Sequence, residues 1–212
     1  MPKYELDSQL KDWRENMMNH RLKKQFDFIV EVDKVKSIWR RNLLTGDKRR
    51  ENDAEHSWHI ALMAQILIEY VEDEVDILKV MRMVVIHDLV EIDAGDTYAY
   101  DAKGYEDKKE RELAAAERIF NILPEDQAKE IFDLWNEFEE EKTSEARYAA
   151  CIDRLQPFIL NYCTDGESWV DHGVTKAQVM KRMSLIKETS AGLWEMTLDL
   201  LNSAIEKGWI KE

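Results

Sequence analysis

The sequence predicts an all-α protein, and three features of the chain support this fold class. Glycine and proline are scarce, with 7 and 3 residues among 212, so tight turns are few. Apolar residues recur at intervals of three and four along most of the chain, which is the spacing that buries one face of a helix. No internal repeat, low-complexity tract or linker interrupts this pattern. We therefore expect one helical domain over residues 1–212.

Capping and turn residues predict where the helices begin and end. A helix over about 53–71 starts after Asn52, which with Glu55 resembles a capping pair. Gly95 is the expected C-cap of a helix over 77–92. Pro157 removes a backbone donor, so a kink or break is expected there. The other expected helices cover 5–15, 20–39, 106–122, 125–141, a segment from Thr143 or Ser144 onward, and 175–206, with loops at 98–105 and 164–173.

Composition restricts the partners of this chain. Its net charge of −14 argues against binding a nucleic acid polymer along a broad surface, because neutralising phosphates supplies most non-specific affinity. One small phosphorylated ligand in a locally basic pocket remains compatible with that charge. No apolar run is long enough to span a membrane, and the stretch MPKYELDSQLKDW lacks the apolar region of a signal peptide. Cys151 and Cys163 lack metal-site spacing and are expected to be reduced, buried thiols. These features predict a cytoplasmic location without membrane contact.

The stretch 77–97, ILKVMRMVVIHDLVEIDAGDT, has the periodicity of a core helix but carries polar residues in its second half. His87, Asp88 and Glu91 fall on the extension of its apolar stripe. Burying an imidazole and two carboxylates is costly unless a partner satisfies them. A divalent cation is one such partner, because neutral imidazoles and ionised carboxylates are its usual ligands.

Two other positions fit the same interpretation. His56 lies on the apolar stripe in the first turn of the helix after Asn52, and Asp153 lies on a small, apolar helical face within CIDRL. Each residue alone is more often a packed histidine or a salt-bridged aspartate, but together with His87 and Asp88 they predict a metal site. His59 lies about 50° from the stripe of His56, so it could support the site or simply pack in the core.

Basic residues are concentrated before His56 in this acidic chain. Between positions 34 and 50, seven basic residues accompany one acid, Asp47. Two interpretations are open, a solvated basic surface or a loop that recognises an anion. Its position beside His56 favours the anion-recognising loop.

The order of EHSW (55–58), VVIHDLVEIDAGD (84–96) and CIDRL (151–155) resembles the HD-domain superfamily of metal-dependent phosphohydrolases. More narrowly, REN..EHS followed by HD..E....GD is similar to the bacterial 5′-deoxynucleotidase branch and the HD-domain-containing protein 2 group. The resemblance covers about residues 34–153. It implies a single HD-domain helical bundle with additional terminal helices. The motif-bearing core would span about 34–160, and a C-terminal helix over about 175–206 would pack on it.

The resemblance also implies a metal-ligand set. One divalent ion (Mn, Co, Mg, Zn, Ni or Fe) would be held by His56, His87, Asp88 and Asp153. Members with two metals carry additional histidines between HD and the final aspartate, and this chain has none between positions 88 and 153, which implies a mononuclear site. The small number of histidines also disfavours a di-iron redox role.

The catalytic and substrate-binding residues follow from the same motif match. Glu91 would take or position the proton of a metal-activated water, the alternative being a partner that fixes His87 or a substrate hydroxyl. Asp96 would assist with the water or hold a sugar hydroxyl. Arg40 would bind phosphate, with Arg41 or Arg50 as alternatives.

The implied function is a metal-dependent phosphohydrolase acting on a small nucleotide, with 5′-nucleotidase activity on (deoxy)nucleoside monophosphates. Alternative reactions within the superfamily are phosphodiester cleavage and removal of triphosphate from a nucleoside triphosphate. An alternative of another class is a non-catalytic metal-binding helical interaction module. The long amphipathic helices leave room for a homodimer but identify no interface.

Overall fold

The computed structural model describes residues 19–101 and 103–212. These residues are mostly helical, with one small two-stranded hairpin, so the predicted all-α class is confirmed. The helix expected over 5–15 lies outside the described residues. None of the described helices is long and apolar enough to cross a membrane.

The first half of the chain contains short helices, a hairpin and several 3-10 turns. In order, its elements are α1 (His20–Val32), a 3-10 turn (Asp33–Ser37), β1 (Trp39–Leu43), β2 (Arg50–Asn52), α2 (Asp53–Leu67), a 3-10 turn (Ile68–Tyr70), α3 (Ile77–Ile86), a 3-10 turn (His87–Val90) and α4 (Glu91–Ala94). The second half contains α5 (Lys108–Phe120), α6 (Glu125–Glu140), α7 (Ser144–Cys163), α8 (Glu167–His172), α9 (Lys176–Arg182), α10 (Ser184–Thr189) and α11 (Ala191–Glu206).

Both predicted caps are present. The Asn52 side chain accepts from the Glu55 amide at 3.0 Å, and the Glu55 carboxylate accepts from the Asn52 amide at 3.2 Å, which completes a capping box at the start of α2. Gly95 follows α4 with a φ of +74°, and its amide donates to the carbonyl of Glu91 at 2.8 Å. That backbone conformation favours glycine because it has no Cβ.

Several predicted boundaries are wrong because strand pairing and side-chain caps offer the backbone alternative partners. The helix expected over 20–39 ends at Val32, since the chain turns and then pairs β1 with β2. The expected helix over 175–206 is divided into α9, α10 and α11, and Ser190 caps α11 by accepting from the Leu193 amide. The predicted 164–173 loop contains α8, which lies between Gly166 and Gly173.

Pro157 lies inside α7, and the helix is not broken there. It continues from Ser144 to Cys163, so of the two expected outcomes at this proline the break does not occur. The helix is deeply buried on both sides of Pro157, since Leu155 and Phe158 are 0% and 3% exposed. Packing of these side chains offsets the one backbone hydrogen bond that proline cannot make.

The centre of the core is α7, which packs against α2, α3, α6, α10 and α11. Small residues let these helices approach closely, and the fully or almost fully buried alanines of α2, α7 and α11 are Ala64, Ala146, Ala149, Ala150 and Ala204. Across the α2–α7 contact, the buried Tyr148 hydroxyl donates to the Ala64 carbonyl at 2.8 Å. This tight contact places the first turn of α2 beside the middle of α7, where Asp153 lies.

The two cysteines differ in their surroundings. Both are free thiols, and Cys151 is buried in the core face of α7 while Cys163 is exposed at its end. The expectation of two buried thiols is therefore wrong for Cys163. Twelve residues advance a helix by a little more than three turns, so the two side chains point in different directions.

Candidate metal centre

Three segments bring the four predicted ligands into one cluster. The first turn of α2 supplies His56, the 3-10 turn after α3 supplies His87 and Asp88, and the middle of α7 supplies Asp153. Nε2 of His56 lies 3.1 Å from Oδ1 of Asp153 and 3.8 Å from Oδ2 of Asp88. Nε2 of His87 lies 3.4 Å from the same Asp153 oxygen and 3.1 Å from Oδ1 of Asp88.

The donor atoms of this cluster fit a divalent cation. The nitrogens of His56 and His87 and a carboxylate oxygen of Asp88 lie within 4.8 Å of one another, and all three residues are buried. Nε2 of His87 is buried and forms no well-aligned hydrogen bond with any described residue, so it is available as a ligand. Its other ring nitrogen, Nδ1, contacts the carbonyl of Val84 at 2.9 Å, which orients the ring. Two imidazoles and two carboxylates are a typical N/O donor set for such an ion.

The cluster strongly perturbs the ionisation of its members. Burial opposes the charged form of His87, but the Asp88 and Asp153 carboxylates outweigh it and raise the pKa of His87 to about 10. Burial would raise the pKa of Asp153, yet His56 and His87 hold that pKa well below its usual range. The carboxylate of Asp153 is therefore anionic, as a metal ligand must be.

Arg40 reaches this cluster from β1 and meets a second group of carboxylates. Its Nη1 donates to Oδ2 of Asp88 at 2.6 Å and to Oδ1 of Asp53 at 3.2 Å. Asp53, Asp88 and Glu91 have oxygens within 4.8 Å of one another, an arrangement that could also hold a cation. The guanidinium of Arg40 is already paired with Asp88 and Asp53. An anion that binds Arg40 therefore shares its positive charge with these two acids.

Glu91 and Asp53 are buried acids with raised pKa values. Glu91 is 5% exposed, and its Oε2 has no hydrogen-bond partner among the described residues. Burial, followed by the charges of Asp88 and Asp53, raises the pKa of Glu91 well above its usual value, although Arg40 opposes the shift. Burial and Asp88 likewise raise the pKa of Asp53 to about 7. A raised pKa lets a carboxylate accept a proton near neutral pH.

A cavity of about 260 Å³ opens onto the cluster. Its lining includes His87, Asp88, Glu91, Asp96 and Asp153, so five of the six predicted ligands and catalytic acids face one space. Burial raises the pKa of Asp96.

The three candidate arginines are placed differently. Arg40 and Arg41 line the cavity, and Arg40 alone of the three contacts Asp88. Arg50 is exposed on β2 and is not among the described residues that line the cavity. Other members of the basic segment form exposed ion pairs, such as Lys34 with Glu31 and Arg49 with Glu55. The segment is thus partly a solvated surface, and its Arg40–Arg41 step is the part that reaches the site.

Several residues around the site were missed by the sequence analysis. Arg182 of α9 lines the cavity and places Nη2 3.5 Å from Oδ2 of Asp153. Asp53, fully buried, contacts Arg40. Glu51 and Gln156 are buried behind His56. Gln156 and Asp53 carried a usable signal, since Gln156 lies three residues after Asp153 and Asp53 lies three residues before His56, each on the helical face of a predicted ligand.

Comparison with known proteins agrees with the motif order. The HD domain family profile matches residues 32–194. A crystal structure of a predicted metal-dependent phosphohydrolase from Magnetospirillum magnetotacticum MS-1 is similar with a TM-score of 0.86 and 49% identity, covering 91% of this chain and 96% of that chain.

Curated relatives share part of their length with this chain. The human protein named 5′-deoxynucleotidase HDDC2 is 28% identical over 138 residues, which are 65% of this chain and 66% of the human protein. The Dictyostelium discoideum protein of the same name is 32% identical over 142 residues, 64% of this chain and 75% of that protein. The match spans slightly less than two thirds of the human relative and 53% of the mouse one. Because the family profile covers residues 32–194 and the HD-motif residues converge in one buried cluster, the chain belongs to the HD domain family.

Proposed function

We propose that this protein is a metal-dependent phosphohydrolase that removes phosphate from (deoxy)nucleoside 5′-monophosphates. The observation that carries the proposal is the convergence of His56, His87, Asp88 and Asp153 in one cluster, of which the last three line a cavity together with Arg40. We assign these four residues as the ligands of one divalent ion. Such an ion, when bound, lowers the pKa of a water and polarises a phosphoryl oxygen.

The remaining residues can perform the steps of phosphate release. Glu91, buried beside the ligands with a raised pKa, takes the proton from the attacking water. Arg40 and Arg41 neutralise charge on the phosphate and on its transition state. Asp96 faces the same cavity and holds either that water or a hydroxyl of the sugar.

The substrate class is supported by the size of the cavity and by the relatives. A cavity of about 260 Å³ suits a small molecule. Relatives that are 28–32% identical are named 5′-deoxynucleotidases. The net charge of −14 also disfavours a nucleic acid polymer as the partner.

A phosphate-release assay tests this function. Metal-stripped protein is supplied with Mn²⁺ or Co²⁺ and offered a panel of nucleoside monophosphates, triphosphates and phosphodiesters. We expect inorganic phosphate from at least one deoxynucleoside monophosphate, with activity reduced at least about 100-fold by His87→Ala, Asp88→Ala or Glu91→Gln. The matched control is His20→Ala, which removes an exposed histidine of α1 and leaves activity unchanged.

The products separate the rival reactions. Tripolyphosphate would identify a triphosphohydrolase, and a nucleotide released from a diester would identify a phosphodiesterase. Stoichiometric metal binding without turnover of any compound would favour the non-catalytic module. Unchanged activity in Asp88→Ala would show that the site is assigned wrongly.

The organisation of the whole protein is part of this proposal. Residues 1–212 form one HD domain, which acts in the cytoplasm without a membrane partner. A homodimer is compatible with the long helices, and size-exclusion chromatography coupled to light scattering would measure the oligomeric state.

A further inference from the structure

A buried chain of side chains lies behind His56, on the side away from the other ligands. Nδ1 of His56 contacts Oε1 of Gln156 at 2.9 Å, and Nε2 of Gln156 donates to Oε1 of Glu51 at 2.6 Å. The exposed fractions of His56, Gln156 and Glu51 are 0%, 0% and 1%. Neither Gln156 nor Glu51 is among the described residues that line the cavity, so neither touches the proposed substrate.

The partners of Gln156 fix which way its amide points. A glutamate carboxylate accepts hydrogen bonds, so the atom of Gln156 that faces Glu51 must be the NH₂ group. The same nitrogen lies 3.1 Å from Nδ1 of His59, which can accept its second hydrogen. The amide oxygen is then left for His56. A flipped amide would place two acceptors against each other at Glu51 and lose that hydrogen bond.

The amide orientation in turn fixes the tautomer of His56. An oxygen at 2.9 Å requires that Nδ1 carry the proton, so the lone pair of neutral His56 lies on Nε2. Nε2 is the atom that faces Asp88 and Asp153. Metal-binding histidines commonly donate their second ring N–H in this way, which orients the ring and strengthens it as a ligand.

We propose that Gln156, oriented by Glu51, is a positioning residue that holds His56 as a metal ligand. This assignment rests on the proposed metal site. The hydrogen-bonded series of side chains continues beyond Glu51, because Nδ2 of Asn42 on β1 donates to Oε2 of Glu51 at 2.6 Å. Glu51 is thereby held by two amides from two different elements, and His59 is a third partner of Gln156.

An exchange of functional groups tests the assignment. Gln156→Leu removes the hydrogen bonds at similar size, and Gln156→Glu places two carboxylates together. The double variant Glu51→Gln with Gln156→Glu restores an amide beside a carboxylate in the opposite order and keeps the net charge. In the double variant the new amide at position 51 donates to the new carboxylate at position 156, and its oxygen still accepts from Asn42. The carboxylate at position 156 still accepts from Nδ1 of His56.

The readout is the affinity of each metal-free protein for Co²⁺, measured by isothermal titration calorimetry. We expect Gln156→Leu and Gln156→Glu to weaken Co²⁺ binding by about 10–100-fold, and the double variant to recover binding to within about threefold of wild type. Circular dichroism and thermal melts identify any variant that fails to fold. In Zn²⁺-loaded protein, NMR should show a protected Nδ1 proton of His56 in the wild type and in the double variant and none in Gln156→Leu.

The possible outcomes separate this assignment from the proposed function. Wild-type Co²⁺ affinity in Gln156→Leu, or a folded double variant as weak as the single ones, would overturn the assignment. If the Co²⁺ affinities follow the expected order but no nucleotide is hydrolysed, the role of Gln156 would be supported and the proposed activity rejected. Failure of the wild type to bind Co²⁺ would overturn both the metal site and this assignment.

Discussion

His56 and His87 are oriented by different kinds of partner. Nδ1 of His87 contacts a backbone carbonyl, that of Val84, so its orientation does not depend on the side chain at that position. Nδ1 of His56 contacts the side chain of Gln156, which itself needs Glu51. The orientation of His56 is therefore the one that single side-chain substitutions can change.

The two cysteines provide a test of burial at the scale of single residues. Burial raises the pKa of the Cys151 thiol to about 12, although Arg154 opposes the shift, whereas Cys163 is exposed. Because the thiolate is the reactive form, iodoacetamide at about pH 8 should label Cys163 and leave Cys151 unmodified in the native protein. Mass spectrometry of the labelled peptides measures this difference.

The control for the labelling experiment is Cys163→Ser. This variant should take up no label until a denaturant exposes Cys151, after which one label should be added. Rapid modification of Cys151 in the folded protein would contradict the burial of this thiol in the core face of α7.

At the scale of elements, the start of α2 matters because it carries His56 in its first turn. Asn52→Ala removes the side-chain acceptor of the capping box and should lower the free energy of unfolding by about 1 kcal/mol. Urea unfolding followed by circular dichroism measures the change. Asn52→Ser is the matched control, because serine also accepts from the third amide of a helix and should preserve most of the stability. Equal losses in the two variants would show that the cap contributes little.

The 3-10 turn His87–Val90 is the second element that determines the site. A continuous helix over 77–92 was predicted, but α3 ends at Ile86 and the HD pair lies in the tighter turn that follows. All four residues of this turn are buried. Adjacent residues diverge by about 120° in such a turn, so His87 and Asp88 approach the cluster from two directions and only their side-chain tips meet, with Nε2 of His87 3.1 Å from Oδ1 of Asp88.

At the scale of the whole molecule, the site joins segments that are far apart in the chain. Because α2, the 3-10 turn His87–Val90 and α7 meet only in the folded protein, a metal bound at the cluster should stabilise the native state. At a Co²⁺ concentration about 100 times the dissociation constant, the gain is about 2.7 kcal/mol, which corresponds to roughly 5–10 °C in Tm for a chain of this length. Differential scanning calorimetry with and without EDTA measures the change.

His87→Ala is the control for metal stabilisation. Its Tm should not depend on Co²⁺ or EDTA beyond a small unspecific change, because one ligand of the cluster is missing. An equal rise of Tm in wild type and His87→Ala would show that Co²⁺ binds elsewhere on this acidic chain.

The sequence by itself determined the helical class, the capping box of α2, the Gly95 cap and the types of residue that form the cluster. These features depend on periodicity and on neighbours within one helical turn, which a linear chain displays directly. The order of HD-motif residues also predicted the family, which the family profile confirms.

Only the tertiary structure decided which side chains support those residues. Gln156 meets Glu51 across 105 positions, and Arg40 meets Asp88 across 48, so no local pattern could predict either contact. Local sequence also could not distinguish the positions of Arg41 and Arg50. In the folded protein, where β1 pairs with β2, Arg41 lies at the cavity and Arg50 on the surface. Such contacts arise when packing fixes distant elements at a given distance and angle, and that information is not contained in any single segment.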